Sequence, residues 1–141
     1  MKLLVLMALI SVSLMSCKDE KVVPASDLPS EINSYIESHF SSYPVVQVIK
    51  DNDGFKHSFD VTLRDGYHLE FDSKNRIVDI EGMQRLPDTV IPEKLLQYVS
   101  LNYPSGFVIC WELDNLNQQI KLDSHIELIF NMDGDFLRID Y

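Results

Sequence analysis

Cysteine is nearly missing from this 141-residue chain, which has two, Cys17 and Cys110. Cys17 has a use of its own, argued below, so Cys110 is left as a free thiol and no intrachain disulfide can form. Glycine is scarce too, at five residues. There is no glycine-rich phosphate loop, and no serine sits in a Gly-x-Ser-x-Gly elbow. Basic side chains are few: 12 Lys and Arg stand against 22 Asp and Glu, for a formal charge of -10 and a pI near 4.6. Binding to phosphate backbones needs clustered cations, so nucleic acid is excluded as a partner. A basic partner, a cation or plain solubility fits this balance. Apolar content is not lacking: 45% hydrophobic and 10% aromatic residues suffice for the core of one domain.

The first apolar run, Leu3 to Leu14, is too short to span a bilayer, which takes roughly 20 residues. Lys2 precedes it and Leu14-Met15-Ser16-Cys17 closes it with small residues before a cysteine. The arrangement resembles a bacterial lipoprotein signal, with Met15 departing from the usual Ala, Ser, Thr or Val. The resemblance implies that Cys17 is diacylated on sulfur, becomes the new N-terminus and is acylated again. The other reading, a cleaved soluble secretory peptide, lacks the A-x-A-like site such cleavage needs. Residues 1–16 are thus expected to be a signal peptide and 17–27 a lipidated N-terminus and tether. Lys18 to Ser26 is polar, contains Pro24 and has no periodicity. Several acyl chains anchor stably where one binds marginally. The expected address is the envelope of a Gram-negative bacterium, anchored to the outer membrane. Lys18-Asp19-Glu20 is similar to acidic export tags of surface lipoproteins, which leaves periplasm-facing and surface-facing placements both open.

The remainder says the same thing twice. Leu28-Pro29-Ser30-Glu31-Ile32 through Tyr35-Ile36 to Phe40 returns, 63 positions on, as Ile91-Pro92-Glu93-Lys94-Leu95 through Tyr98-Val99 to Tyr103. Leu69-Glu70-Phe71-Asp72 through Ile77 to Ile80 returns 59 positions on as Leu128-Ile129-Phe130-Asn131 through Phe136 to Ile139, so the second copy has lost four residues. Ile32, Tyr35, Ile36 and Phe40, and likewise Leu95, Tyr98, Val99 and Tyr103, form one apolar helical stripe in each copy. Pro29 and Pro92 suit helix starts, and Pro44 and Pro104 stop the helices.

Strands follow each helix. Phe55, His57, Phe59, Val61 and Leu63 alternate with Lys56, Ser58, Asp60, Thr62 and Arg64; Tyr67, Leu69 and Phe71 continue beyond the Asp65-Gly66 turn. The second copy offers Phe107, Ile109, Trp111 and Leu113, then Leu116, Ile120 and Leu122, then Ile126, Leu128 and Phe130, with Asp133-Gly134 in the last turn. With Val45 to Ile49 and the ends Val78/Ile80 and Leu137/Ile139, this makes about four strands per copy. The expected fold is α+β: a tandem α-β-β-β-β unit, residues 28–82 and 86–141, forming one antiparallel sheet with both helices on one face and the other face solvated.

The Leu-Pro-x-x-Ile-x-x-Tyr-Ile helix start, the Asp65-Gly66-Tyr67-His68-Leu69-Glu70-Phe71-Asp72 strand and the bridge Leu86-Pro87-Asp88-Thr89-Val90-Ile91-Pro92 resemble the PepSY-like family of beta-lactamase-inhibitor-like proteins. The similarity covers about residues 28 to 141. It implies a small secreted or lipid-anchored domain, and no catalytic or metal residues come with it. The family name is a structural analogy, and fold does not imply function.

His39 and His57 read as structural histidines. His68-Leu69-Glu70 and His125-Ile126-Glu127 each put a histidine and a carboxylate on one strand face, a spacing that suits zinc or proton sharing. The repeat aligns Glu127, not His125, with His68, so solvated strand faces are the better reading. Cys110 beside Trp111 reads as a buried inert thiol. Asp51-Asn52-Asp53-Gly54 and Asp133-Gly134-Asp135 begin like calcium loops but reach no glutamate at the twelfth place, and hairpin turns explain them. No catalytic residue, metal site or cofactor is expected.

What remains is the open sheet face, with Arg64, His68, Glu70, His125 and Glu127 among its polar residues and Ile77, Ile129 and Phe136 as apolar anchors. The expected function is a non-enzymatic envelope lipoprotein that binds a protein or peptide, as inhibitor or regulator, and meets the membrane only through its lipid. A small-molecule or cation-sensing module is the alternative.

Overall fold

The computed structural model describes residues 19–54 and 56–140. The signal peptide, Cys17, Lys18 and the expected inward placement of Phe55 lie outside the described residues. A nine-stranded sheet is traced in strict chain order, every neighbour antiparallel. Its strands are β1 (Asp19–Val23), β2 (Val45–Asp53), β3 (Lys56–Leu63), β4 (Tyr67–Phe71), β5 (Ile77–Gly82), β6 (Val108–Leu113), β7 (Asn117–Leu122), β8 (Glu127–Asn131) and β9 (Phe136–Asp140). Helix α1 (Ser30–Phe40) lies between β1 and β2, and α2 (Glu93–Asn102) between β5 and β6.

Both helices begin alike. Pro29 and Pro92 occupy the position before the first turn, their carbonyls accepting amide bonds from Asn33 and Leu96. Glu31 and Glu93 put negative charge at the positive end of each helix dipole. The apolar stripes face the sheet: Ile32, Ile36 and Phe40 are buried from α1, and Leu95 and Val99 from α2. Tyr35 meets Phe71 edge-on at 5.7 Å and Tyr98 meets Phe130 edge-on at 5.3 Å, matched contacts in the two halves. Such pairs contribute about 0.5–1.5 kcal/mol beyond the area they bury. Inward strand residues, among them Val61, Leu69, Ile80, Trp111, Ile120 and Leu128, complete one continuous core.

Four irregularities move side chains away from simple alternation. Register shifts fall at Val46, Val78, Ile109 and Leu137, each an extra residue in its strand. They are paired across the repeat, and each reverses the facing of the residues beyond it, because strand side chains have period 2. Phe107 and Ile109 are therefore only half-buried while Val108 enters the core. Leu116, expected inside, is 78% exposed in the β6–β7 turn, and Gln118 takes the inward place. Its carboxamide accepts from Trp111 Nε1 at 3.3 Å and donates to the carbonyls of Asn131 and Met132. His57 has inward parity but is exposed, so it is not the structural histidine expected.

The expected tether is corrected as well. Residues 19–23 form β1, in five registered pairs with β2 from Asp19 opposite Asn52 to Val23 opposite Val48. Its charged sequence, Asp-Glu-Lys-Val-Val, hid it, since charge suits a sheet edge and breaks the apolar alternation by which strands are recognised.

Candidate functional site

The helix-free face is best read as rows running across the strands. Through the pairings Ile49–Asp60, Asp60–Glu70, Glu70–Asp79, Asp79–Glu112, Glu112–Gln119, Gln119–Ile129 and Ile129–Arg138, one row crosses eight strands. Its middle is four consecutive acids, Asp60, Glu70, Asp79 and Glu112, on β3, β4, β5 and β6. Directly opposed cross-strand side chains have Cβ atoms about 4.5–5.5 Å apart, where like charges repel. The neighbouring row runs Thr62, His68, Glu81, Cys110, Lys121, Glu127 and Asp140. A shallow hollow of about 410 Å³ over the first half is lined by Asp60, His68, Glu70, Asp79 and Glu81. A second hollow, about 510 Å³, lies at the sheet edge around Val22–Ala25 and Val45–Val48 and has no charged lining.

The acids perturb one another. Burial, and then the charges of Glu112, Glu70, Glu81 and Asp60, push the Asp79 carboxyl up to about 6. Cys110 is half-buried on this face, opposite Glu81 and Lys121. Burial first, then Asp79, Glu81 and Glu112, push its thiol up to about 12, against the smaller opposing effect of Lys121. A thiol so held is a poor nucleophile. Lys121 also bonds Glu127 at 2.7 Å, and Gln119 donates to the same carboxylate at 2.9 Å.

The anticipated binding residues are scattered by this geometry. His68, Glu70 and Glu127 lie on the open face; His68 Nδ1 is 3.2 Å from Thr62 Oγ1. Arg64 is exposed in the turn after β3. His125 is not on a strand: it occupies the turn before β8 with φ 66°, the position that Gly66 fills in the first half with φ 83°. Ile77 and Phe136 are the main corrections. The extra residues at Val78 and Leu137 put Ile77 opposite Phe71 and Phe136 opposite Phe130, on the helix side. Phe136 stacks on Tyr98 at 4.6 Å. Ile129 does lie on the open face but is only 3% exposed, so the expected trio of apolar anchors is not assembled. Asp79, Glu81 and Glu112 were missed. The signal was the alternation around Ile80 and Trp111, which becomes a site only once the register is known.

His39, as expected, is structural: it packs on Tyr35 and its Nδ1 lies 2.9 Å from Thr89 Oγ1, tying α1 to the segment before α2. Among the described residues no group of three or more His, Cys, Asp and Glu side chains is placed to hold a metal ion. Among the same residues no helix is long and apolar enough to cross a membrane.

A doubled helix-plus-meander sheet with one covered and one open face defines a class of small α+β proteins. The family model described as "Putative beta-lactamase-inhibitor-like, PepSY-like" matches residues 13–78 and again 57–138, and the chain belongs to that family. Two matches fit a tandem repeat. The fold is similar to a structure from Bacteroides thetaiotaomicron described as a "putative calcium-regulated periplasmic protein", at 27% identity and TM-score 0.81, covering 87% of this chain and 98% of that one. Two structures from Bacteroides vulgatus, both described as putative periplasmic proteins, are similar at 28% identity, TM-score 0.82, coverage 89% and 99%, and at 29% identity, TM-score 0.80, coverage 86% and 99%. No curated protein matches the chain.

Proposed function

We propose that the protein is a non-enzymatic, lipid-anchored envelope protein whose open sheet face binds a cationic protein or peptide segment, as an inhibitor or regulator of that partner. The observation that carries this reading is the acidic row Asp60–Glu70–Asp79–Glu112, continuous across four strands. The repeat supports it: the second-half counterparts of Asp60, Glu70 and Asp79 are Gln119, Ile129 and Arg138, and the first-half counterpart of Glu112 is Ile49, so the acidity is not repeated by the fold but gathers around the seam between the halves. The neighbouring charges push the Asp79 carboxyl up, and a ligand's lysines and arginines would relieve that repulsion. His68 then lines the hollow. The envelope address agrees with the periplasmic descriptions of the similar structures, and lipidation at Cys17 with acyl anchoring to the outer membrane belongs to the same proposal.

The test is binding of a lysine- and arginine-rich synthetic peptide, compared between the wild-type protein and a variant carrying Glu70→Gln, Asp79→Asn and Glu112→Gln. Binding that weakens with salt and is lost in the variant supports the reading; equal binding by both proteins ends it. A divalent cation is the second reading, favoured by the calcium-regulated description of one similar structure. Calorimetric titration with calcium decides it. Heat of binding that disappears in the same variant would make the row a cation site.

A further inference from the structure

Only Lys18 separates Cys17 from Asp19, the first residue of β1. Two residue steps reach at most about 7 Å. A lipid headgroup layer is roughly 5–7 Å deep. An acylated Cys17, its chains in the hydrocarbon and its backbone at the interface, would therefore leave Asp19 at or within the headgroup boundary. Asp19 is not loose, because β1 is registered along its whole length with β2.

We propose that the folded sheet docks directly on the lipid bilayer, with the end at which β1 begins, and the adjoining tip of the β2–β3 hairpin, against the headgroups. The inference rests on the lipid anchor of the preceding section. The end is fixed by register: Asn52 is opposite Asp19, so the turn at Asp53-Gly54 lies beside the anchor, whereas Val23 and Val48 lie a strand's length away. This hairpin is where the two halves differ. The second half is four residues shorter between β6 and β7, and the extra residues of the first half carry β2 out to Asp53, so that Asn52 and Asp51 pair with Asp19 and Glu20 at the start of β1. The β4–β5, β6–β7 and β8–β9 turns are at the same end of the strands, and two of them expose apolar side chains, Leu116 at 78% and Met132 at 54%. Charges near the hairpin tip are mixed, Lys21, Lys50 and Lys56 with Asp19, Glu20, Asp51 and Asp53, so the acyl chains and the short connection hold the end down, not net charge.

Docking sets the height of the acidic row. Ile49, which leads into it, is three residues along β2 from Asn52, about 10 Å. A partner must then approach within a short distance of the membrane surface.

The experiment uses the full lipidated protein in phosphatidylethanolamine–phosphatidylglycerol vesicles carrying a headgroup-attached nitroxide quencher. In a Cys110→Ser background, a fluorophore is placed at Lys56→Cys, near the hairpin tip, or at Arg64→Cys, at the opposite end of β3; Asp53→Cys replaces the first site if that variant does not fold. Docking predicts severalfold stronger quenching at the tip, and loss of that difference when a long Gly/Ser leash is inserted between Lys18 and Asp19. Equal quenching at both sites in protein that has incorporated palmitate overturns the docking and leaves the anchor standing. Absence of palmitate incorporation, with Cys17→Ser as the reference, overturns the anchor and the docking together.

Discussion

Asp79 of β5 stands directly opposite Glu112 of β6, at the seam where the two halves of the sheet meet. The seam is the shortest pairing in the sheet, three registered residues, Asp79–Glu112, Ile80–Trp111 and Glu81–Cys110. Its inward pair is fully apolar and its outward pairs carry three carboxyls and a thiol. The core side therefore holds the halves together while the open side pushes them apart.

That opposition predicts a pH dependence. The Asp79 carboxyl is raised from 3.8 to about 6 in the folded protein, so the native state keeps its proton where the unfolded chain has lost it. Stability attributable to this group is present below about pH 4, falls as pH rises through about 6, and is level above that. Asp79 is partly exposed, and after allowance for screening the effect is about 1 kcal/mol. Asp79→Asn should raise the melting temperature by about 3–5 °C near pH 8 and leave it unchanged near pH 4. Thermal melts across that range check it.

Cys110 should be slow to alkylate. With its thiol pushed up to about 12, its reaction with iodoacetamide near pH 8 should be about a hundredfold or more slower than that of the same cysteine in urea. Replacing Asp79 and Glu81 with their amides should quicken it. Stopped aliquots analysed by mass spectrometry give both rates.

Phe136 should behave as a core residue. Its stacking on Tyr98 and edge contact with Phe130 predict a loss of about 2–3 kcal/mol for Phe136→Ala in urea denaturation. Leu137→Ala, at the extra residue, should cost less than about 0.5 kcal/mol. The opposite order would return Phe136 to the surface.

His125 carries a left-handed backbone, φ 66°, at the place Gly66 holds in the other half. His125→Gly should stabilise the protein by about 0.5–1 kcal/mol. The reverse change at Gly66 is costly because of its φ of 83°; a Cβ there would also lie 2.7 Å from Met83 Sδ, a contact that the exposed methionine side chain can relieve by moving.

Gly82 is constrained by space rather than by φ. A Cβ would lie 2.9 Å from both the Gln84 carbonyl and Tyr67 Cε1, and 3.0 Å from Leu86 Cδ2. Gly82→Ala should lose about 1–3 kcal/mol in the same urea assay.

Much of the fold was legible because its signals are local. Ile32, Ile36 and Phe40 announce a helix face through a 3.6-residue period, and Phe59, Val61 and Leu63 announce a strand through a period of two. The Asp65-Gly66 turn follows from backbone preference alone, and both residues do take positive φ. Less of the site was legible. Ile77 and Phe136 satisfy outward parity in the sequence, yet a single extra residue at Val78 or Leu137 turns them inward, and no composition rule marks those positions.

The sequence by itself determined two helices with one apolar face each, a duplicated set of strands and the sign of the charge. All of these depend on neighbours within a few residues. Only the tertiary structure decided that Asp19–Val23 is a strand, that Ile77 and Phe136 belong to the core, and that Asp60, Glu70, Asp79 and Glu112 form one row. These acids are separated by 9 to 33 positions in the chain, and only strand register, with its bulges, brings each carboxylate opposite the next.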